Sequence, residues 1–153
     1  MTTEKGEQLR QQLIAAVVKK RAALARAHAV VVRLMEPGIP EAEFLSLLWE
    51  IGPSNYADIV DERDINKLCG YPLCSNLLEK VPKQKYAISA SKNKVYDLTE
   101  RKKFCSGYCF KASEYVKAQV PTSPLWLRDR ETRASFQLLP RDIKIIKKRI
   151  QFK

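Results

Sequence analysis

Cys69-Gly-Tyr-Pro-Leu-Cys74 and Cys105-Ser-Gly-Tyr-Cys109 hold all four cysteines of the chain, with a 30-residue insert between the pairs. Two close pairs brought together supply the four soft ligands that zinc takes in a tetrahedron. Gly70 and Pro72 bend the first pair, and Ser106 and Gly107 open the second. The competing readings are two disulfides, or four thiols buried with no metal between them. Nothing at the N-terminus looks like a signal peptide, so a reducing compartment is expected, which disfavours disulfides. Four and three intervening residues are looser spacings than the common pair with two. The pattern predicts one structural zinc ion held by Cys69, Cys74, Cys105 and Cys109.

The insert reads as a β-hairpin over 84–99. Residues 84–90 and 94–99 both alternate, and Ser91-Lys92-Asn93 supplies the turn. Beyond the second pair, Cys109, Ala112, Tyr115, Val116 and Gln119 recur at helical spacing until Pro121. Val120 to Leu127 should be extended, because each proline pushes its predecessor out of the helical region, with Trp126 and Leu127 pinning it to the core.

Toward the N-terminus, residues 4 to 35 read as one long helix with Leu9, Leu13, Val17, Leu24 and Val31 on one face. Pro37-Gly38 ends it. A second helix begins at Pro40 and buries Phe44, Leu47, Leu48 and Ile51. A third runs from Tyr56 to Asn66, capped by Ser54 or Asn55, with Ile59 and Val60 inward. Residues 129–139 are polar and weakly patterned, and Pro140 opens a basic helix carrying Ile143, Ile146 and Ile150 on one face. The fold class is mainly α with a small β-hairpin, a helical domain organised around an atypical four-cysteine zinc finger. Its parts are the N-terminal helix (1–38), a core with both knuckles and the hairpin (39–128), and a basic C-terminal helix or tail (129–153).

A chain of 153 residues is one ordinary domain. No apolar run approaches the ~20 residues of a membrane span, so no membrane partner is expected. The formal charge of +11 is unevenly placed. Residues 36–66 carry eight acids against one base, Arg63, whereas 67–128 carry twelve bases against four acids. A basic metal-bearing region suits an anionic partner. Direct nucleic-acid binding ranks last, because only 8% of residues are aromatic and no stacking pattern accompanies the bases.

Cys69 to Cys74, Val81-Pro-Lys-Gln-Lys-Tyr86, Lys94-Val-Tyr-Asp97, Thr99-Glu-Arg-Lys102 and Phe104-Cys-Ser106 closely resemble the RNA polymerase II-associated protein 2 family. Its yeast members are called regulators of transcription. The resemblance covers about residues 40 to 130 strongly and the first helix more loosely. Larger members continue well past residue 153, so the chain is expected to be an N-terminal domain. The resemblance implies a protein that binds RNA polymerase II and works with its assembly and import factors, shuttling between cytoplasm and nucleus. It further implies removal of phosphate from the polymerase tail, at the fifth position of the repeat Tyr-Ser-Pro-Thr-Ser-Pro-Ser.

The residues limit how such hydrolysis could proceed. A cysteine phosphatase places Arg six residues after its thiolate; here those positions hold Ser75, Lys80, Lys111 and Tyr115. A zinc closed by four thiolates has no open position to activate water. Side chains beside the metal must therefore act, with cations on the phosphate oxygens and a group that attacks or positions water. Lys85 and Arg101 are the phosphate-binding candidates. Tyr96 would orient or attack, Glu62 would serve as base, and Asp97 completes the catalytic candidates. The alternative is a non-catalytic zinc module that docks on the polymerase and regulates its assembly, import or initiation.

Overall fold

The computed structural model describes residues 2–78, 86–89, 94–97 and 99–140, and for the segments 86–89 and 94–97 it describes the backbone. Helix α1 spans Thr2–Leu34, about 50 Å at 1.5 Å per residue. No Gly or Pro interrupts it after Gly6. The apolar face foreseen for α1 packs only at its C-terminal end. Ala23, Ala27, Val30, Val31 and Leu34 are buried, whereas Leu9, Leu13, Val17 and Leu24 stay in solvent. The other described residues cover only the last turns.

Helix α2, Glu41–Leu47, continues into a 3-10 turn, Leu48–Glu50. Phe44, Leu48 and Ile51 are fully buried, as the stripe required, while Leu47 is half-buried. Helix α3, Pro53–Ile65, starts earlier than its polar residues suggested, because Pro53 takes the first helical position. Asn55 does not cap from in front; its side-chain oxygen reaches back 2.9 Å to accept from the Gly52 amide. At the far end, Leu68 N–H bonds Arg63 C=O (2.8 Å) and Lys67 N–H bonds Asp64 C=O (3.0 Å). That is a Schellman ending, with Lys67 at φ 59° where glycine is usual.

Strands β1, Tyr86–Ser89, and β2, Lys94–Asp97, pair antiparallel with Tyr86 opposite Asp97 and Ser89 opposite Lys94. The expected turn at 91–93 lies outside the described residues. A 3-10 turn, Arg101–Lys103, leads to helix α4, Gly107–Gln119. Cys109, Ala112, Ser113 and Val116 form its buried face. Of the other two residues that share the helical spacing, Tyr115 is exposed and Gln119 half-buried. Buried Tyr56 joins α3 to α4 through a 2.9 Å hydrogen bond with Ser113.

Residues 120–124 are extended, but Leu125–Arg130 coil into a 3-10 helix. The pins are not Trp126 and Leu127: Leu127 is exposed and Trp126 half-buried beneath Lys20, whose ammonium lies 4.7 Å from the ring centroid. Leu125 and buried Arg128 hold the segment. Arg128 donates to the carbonyls of Trp49 (2.8 Å), Ile51 and Pro121 (2.6 Å). Residues 131–140, weakly patterned in sequence, are tied down by Gln119, which exchanges two 2.8 Å bonds with the Gln137 backbone. Tyr108 adds a 2.7 Å bond to Leu139 C=O. The helix expected after Pro140 lies outside the described residues.

Candidate metal centre

The first knuckle is a small hairpin. Leu68 bridges Leu77, Cys69 N–H bonds Asn76 C=O at 2.9 Å, and Cys74 N–H closes a turn on Tyr71 C=O, also 2.9 Å. Gly70 lets the second knuckle approach. Its amide donates to Lys103 C=O at 2.7 Å, and a Cβ there would lie 2.9 Å from Val60 Cγ1 and 3.0 Å from that carbonyl. No side chain fits.

The second knuckle is set by a helix cap. Ser106, extended at the N-cap of α4, accepts from Cys109 N–H at 3.2 Å, so Cys109 sits in the first helical turn and faces inward. The two pairs meet. All four sulfurs lie within 4.8 Å of one another, with Cys74–Cys105 and Cys105–Cys109 at 3.6 Å. A tetrahedron with metal–sulfur bonds of ~2.3 Å has edges of about 3.8 Å, so the cage has the size of a metal thiolate site. All four are free cysteines, which removes the disulfide reading. Backbone N–H of Cys105 already points at Cys69 Sγ from 3.3 Å, the kind of bond that steadies a ligating thiolate.

Without a cation Cys69 and Cys74 keep their protons. A hydrogen bond with Cys109 and then burial push the Cys69 thiol up, and burial foremost raises Cys74 to about 11. A divalent ion inverts that preference by coordinating thiolates, releasing protons as it binds. Four sulfurs would fill its coordination and leave no place for water.

Arg63 supports the site from below. It is fully buried, with no carboxylate among its described partners, and it donates to five carbonyls. Two belong to cysteines of the cluster, Cys69 (2.7 Å) and Cys74 (2.6 Å), and one to Tyr71 (3.3 Å). The others, Leu34 (2.7 Å) and Glu36 (2.9 Å), close the end of α1. Burial pulls its pKa down and the sulfurs of Cys69 and Cys74 push it up, as a counter-charge to a thiolate cage would. Sequence reasoning passed Arg63 over. The available signal was that the only base in the acidic stretch follows Tyr56, Ile59 and Val60 on the buried stripe of α3.

The other candidate residues are placed unequally. Glu62 is half-buried on α3, next to Arg63. Arg101 lies in the 3-10 turn that packs on α3, and donates to Phe104 C=O at 3.1 Å. Lys103 ties the two elements, 2.6 Å from Asp61 and 2.9 Å from Glu100. Burial lowers its pKa, and those two bonds more than offset it, so the ammonium stays charged. A cavity of about 210 Å³ opens beside this cluster, lined also by Glu114 and Lys117. Lys85 lies outside the described residues, as do the side chains of Tyr96 and Asp97. A larger groove, about 740 Å³, runs past Cys74, Cys105 and Cys109, and its described lining residues include neither Lys nor Arg.

A helical domain closed over two cysteine knuckles with metal-cage geometry defines the class. Within it, residues 49–121 match the Rtr1/RPAP2 family model. The chain is 87% identical over 142 residues to a Drosophila melanogaster RPAP2 homolog, covering 93% of this chain and 99% of that one. It is 49% identical over 128 residues to the RNA polymerase II subunit B1 CTD phosphatase Rpap2 of Rattus norvegicus, covering 84% of this chain but 21% of the rat protein. The fold matches the crystal structure of the transcription regulator Rtr1 from Kluyveromyces lactis, with TM-score 0.61 and 23% identity over 78% of this chain and 84% of that one. The chain belongs to the Rtr1/RPAP2 family.

Proposed function

We propose that this protein associates with RNA polymerase II and removes phosphate from the fifth-position serine of its C-terminal repeat, on a domain held by one structural zinc ion at Cys69, Cys74, Cys105 and Cys109. The observation that carries the reading is 49% identity over 128 residues to a relative named as an RNA polymerase II subunit B1 CTD phosphatase, a name that states no repeat position. Two structural features support it. The thiolate cage is closed and suits a metal that shapes the domain rather than one that reacts. Beside it, Lys103 joins the element carrying Glu62 to the one carrying Arg101. In this reading Lys85 and Arg101 hold the phosphate oxygens, Tyr96 orients or attacks, Glu62 acts as base, and Asp97, the neighbour of Tyr96 in sequence, completes the catalytic set. The protein works with the polymerase's assembly and import factors and shuttles between cytoplasm and nucleus.

A second reading, a non-catalytic zinc module docking on the polymerase, draws on one observation. The nearest described cation to Arg101 in the chain that lines a cavity, Lys103, is already neutralised by two carboxylates. Phosphate release from a tail peptide phosphorylated at the fifth-position serine separates the two. Tyr96→Phe and Glu62→Gln should each lower the rate about a hundredfold while metal content stays constant. Equal rates in wild type and both variants would select the docking module.

A further inference from the structure

Every residue from Thr3 to Val18 of α1 is exposed, although a free helix of that length is marginal in water without packing. At 100° per residue, Leu9, Leu13, Ala16 and Val17 fall within about 100° of arc, the arc that farther along buries Ala27, Val31 and Leu34. The core-facing stripe thus runs on past the domain with no described residue packed against it. Lys20, over Trp126, marks where cover ends.

The edges of the stripe choose the occupant. Lys5 and Lys19 border one side, Arg10 and Arg21 the other, while Glu4 and Glu7 lie on the back of the helix, where Glu7 separates Ile14 from Val18. Lys19 is paired with Asp129 at 2.7 Å; no ion pair among the described residues engages Lys5, Arg10 or Arg21. A second copy would bring the same basic edges face to face, which is repulsive. A lipid surface favours a broad face with bulky aromatic anchors, and α1 has a narrow stripe and no aromatic residue.

We infer that residues 3–18 of α1 dock an acidic amphipathic helix of another protein, its apolar face on Leu9, Leu13 and Val17 and its carboxylates against Lys5, Arg10 and Arg21. The inference goes beyond the tail-phosphatase reading and does not depend on it. The test uses the whole chain and a synthetic helical heptad peptide with leucine at the seam and glutamate on both edges, followed by fluorescence anisotropy. The glutamate peptide should bind, less tightly as salt is raised, and its lysine-edged counterpart should not. Leu13→Gln with Val17→Gln, and separately Arg10→Glu with Arg21→Glu, should each weaken binding about tenfold. These side chains are in solvent, so melting temperature, metal content and phosphate release should not change in either variant. Failure to bind the glutamate peptide, equal binding of the lysine peptide, or indifference to either double variant would overturn the inference. Self-association abolished by Leu13→Gln with Val17→Gln, or binding to phosphatidylserine vesicles in place of the peptide, would assign the face to a second copy or to lipid and overturn it equally.

Discussion

The Arg63 guanidinium lies 2.6 Å from the carbonyl oxygen of Cys74, a donor fixed beneath a cysteine of the metal cage. The same group grips Cys69 and the last turn of α1, so one side chain couples the cage to the longest helix. Truncation would take a donor away from five carbonyls, several of them buried. Arg63→Met should cost about 3–5 kcal/mol of unfolding free energy. Arg63→Lys should recover only part of that, since three donors on one nitrogen cannot reach five oxygens. Denaturant midpoints would check this; an Arg63→Met loss below about 1 kcal/mol would contradict it.

Metal removal should loosen both knuckles at once. Exhaustive chelation, or Cys105→Ser, should abolish zinc binding and lower the melting temperature, because an ion in the four-cysteine cage would join segments that are far apart in sequence. Elemental analysis should find about one zinc per native chain, as a single four-sulfur cage requires. A chain that melts identically before and after chelation would refute the role.

Gly70→Ala should be costly and Gly107→Ala harmless. At Gly70 the new methyl meets Val60, Lys103 C=O and Phe104 within 3.0 Å, and the backbone carbonyl cannot yield without moving the knuckle. The expected loss is about 1–3 kcal/mol. At Gly107 nothing lies within 4 Å, so alanine at the start of α4 should be neutral or a slight gain. Paired thermal melts of the two variants test the contrast, and equal shifts would remove the steric account.

Lys67→Gly should stabilise the domain. Lys67 holds φ 59° at the close of α3, a conformation that costs a side chain about 1–2 kcal/mol and glycine very little. Part of this is lost to the freer unfolded chain, so a gain of about 1 kcal/mol or less is expected in the denaturant midpoint. A destabilised variant would mean that the lysine side chain itself contributes at this site.

Sequence alone determined what spacing determines. The period of α1, α3 and α4, the prolines that end α1 and α4, and the two cysteine pairs are local patterns. They follow from the geometry of a few neighbouring residues. The resemblance that led to the family rests on equally local motifs. What only the tertiary structure decided depends on segments that meet from far apart in the chain. The period of α1 gave a face, but where the domain stops covering it left Leu9, Leu13 and Val17 in water and Val31 in the core. Trp126 and Leu127 looked like anchors by their bulk, yet Arg128 is the buried residue, because carbonyls from Trp49, Ile51 and Pro121 converge where a guanidinium fits. Arg63 is the same case. A charge is buried only when enough fixed dipoles surround it, and its dipoles come from residues 34, 36, 69, 71 and 74, a convergence no window of sequence contains.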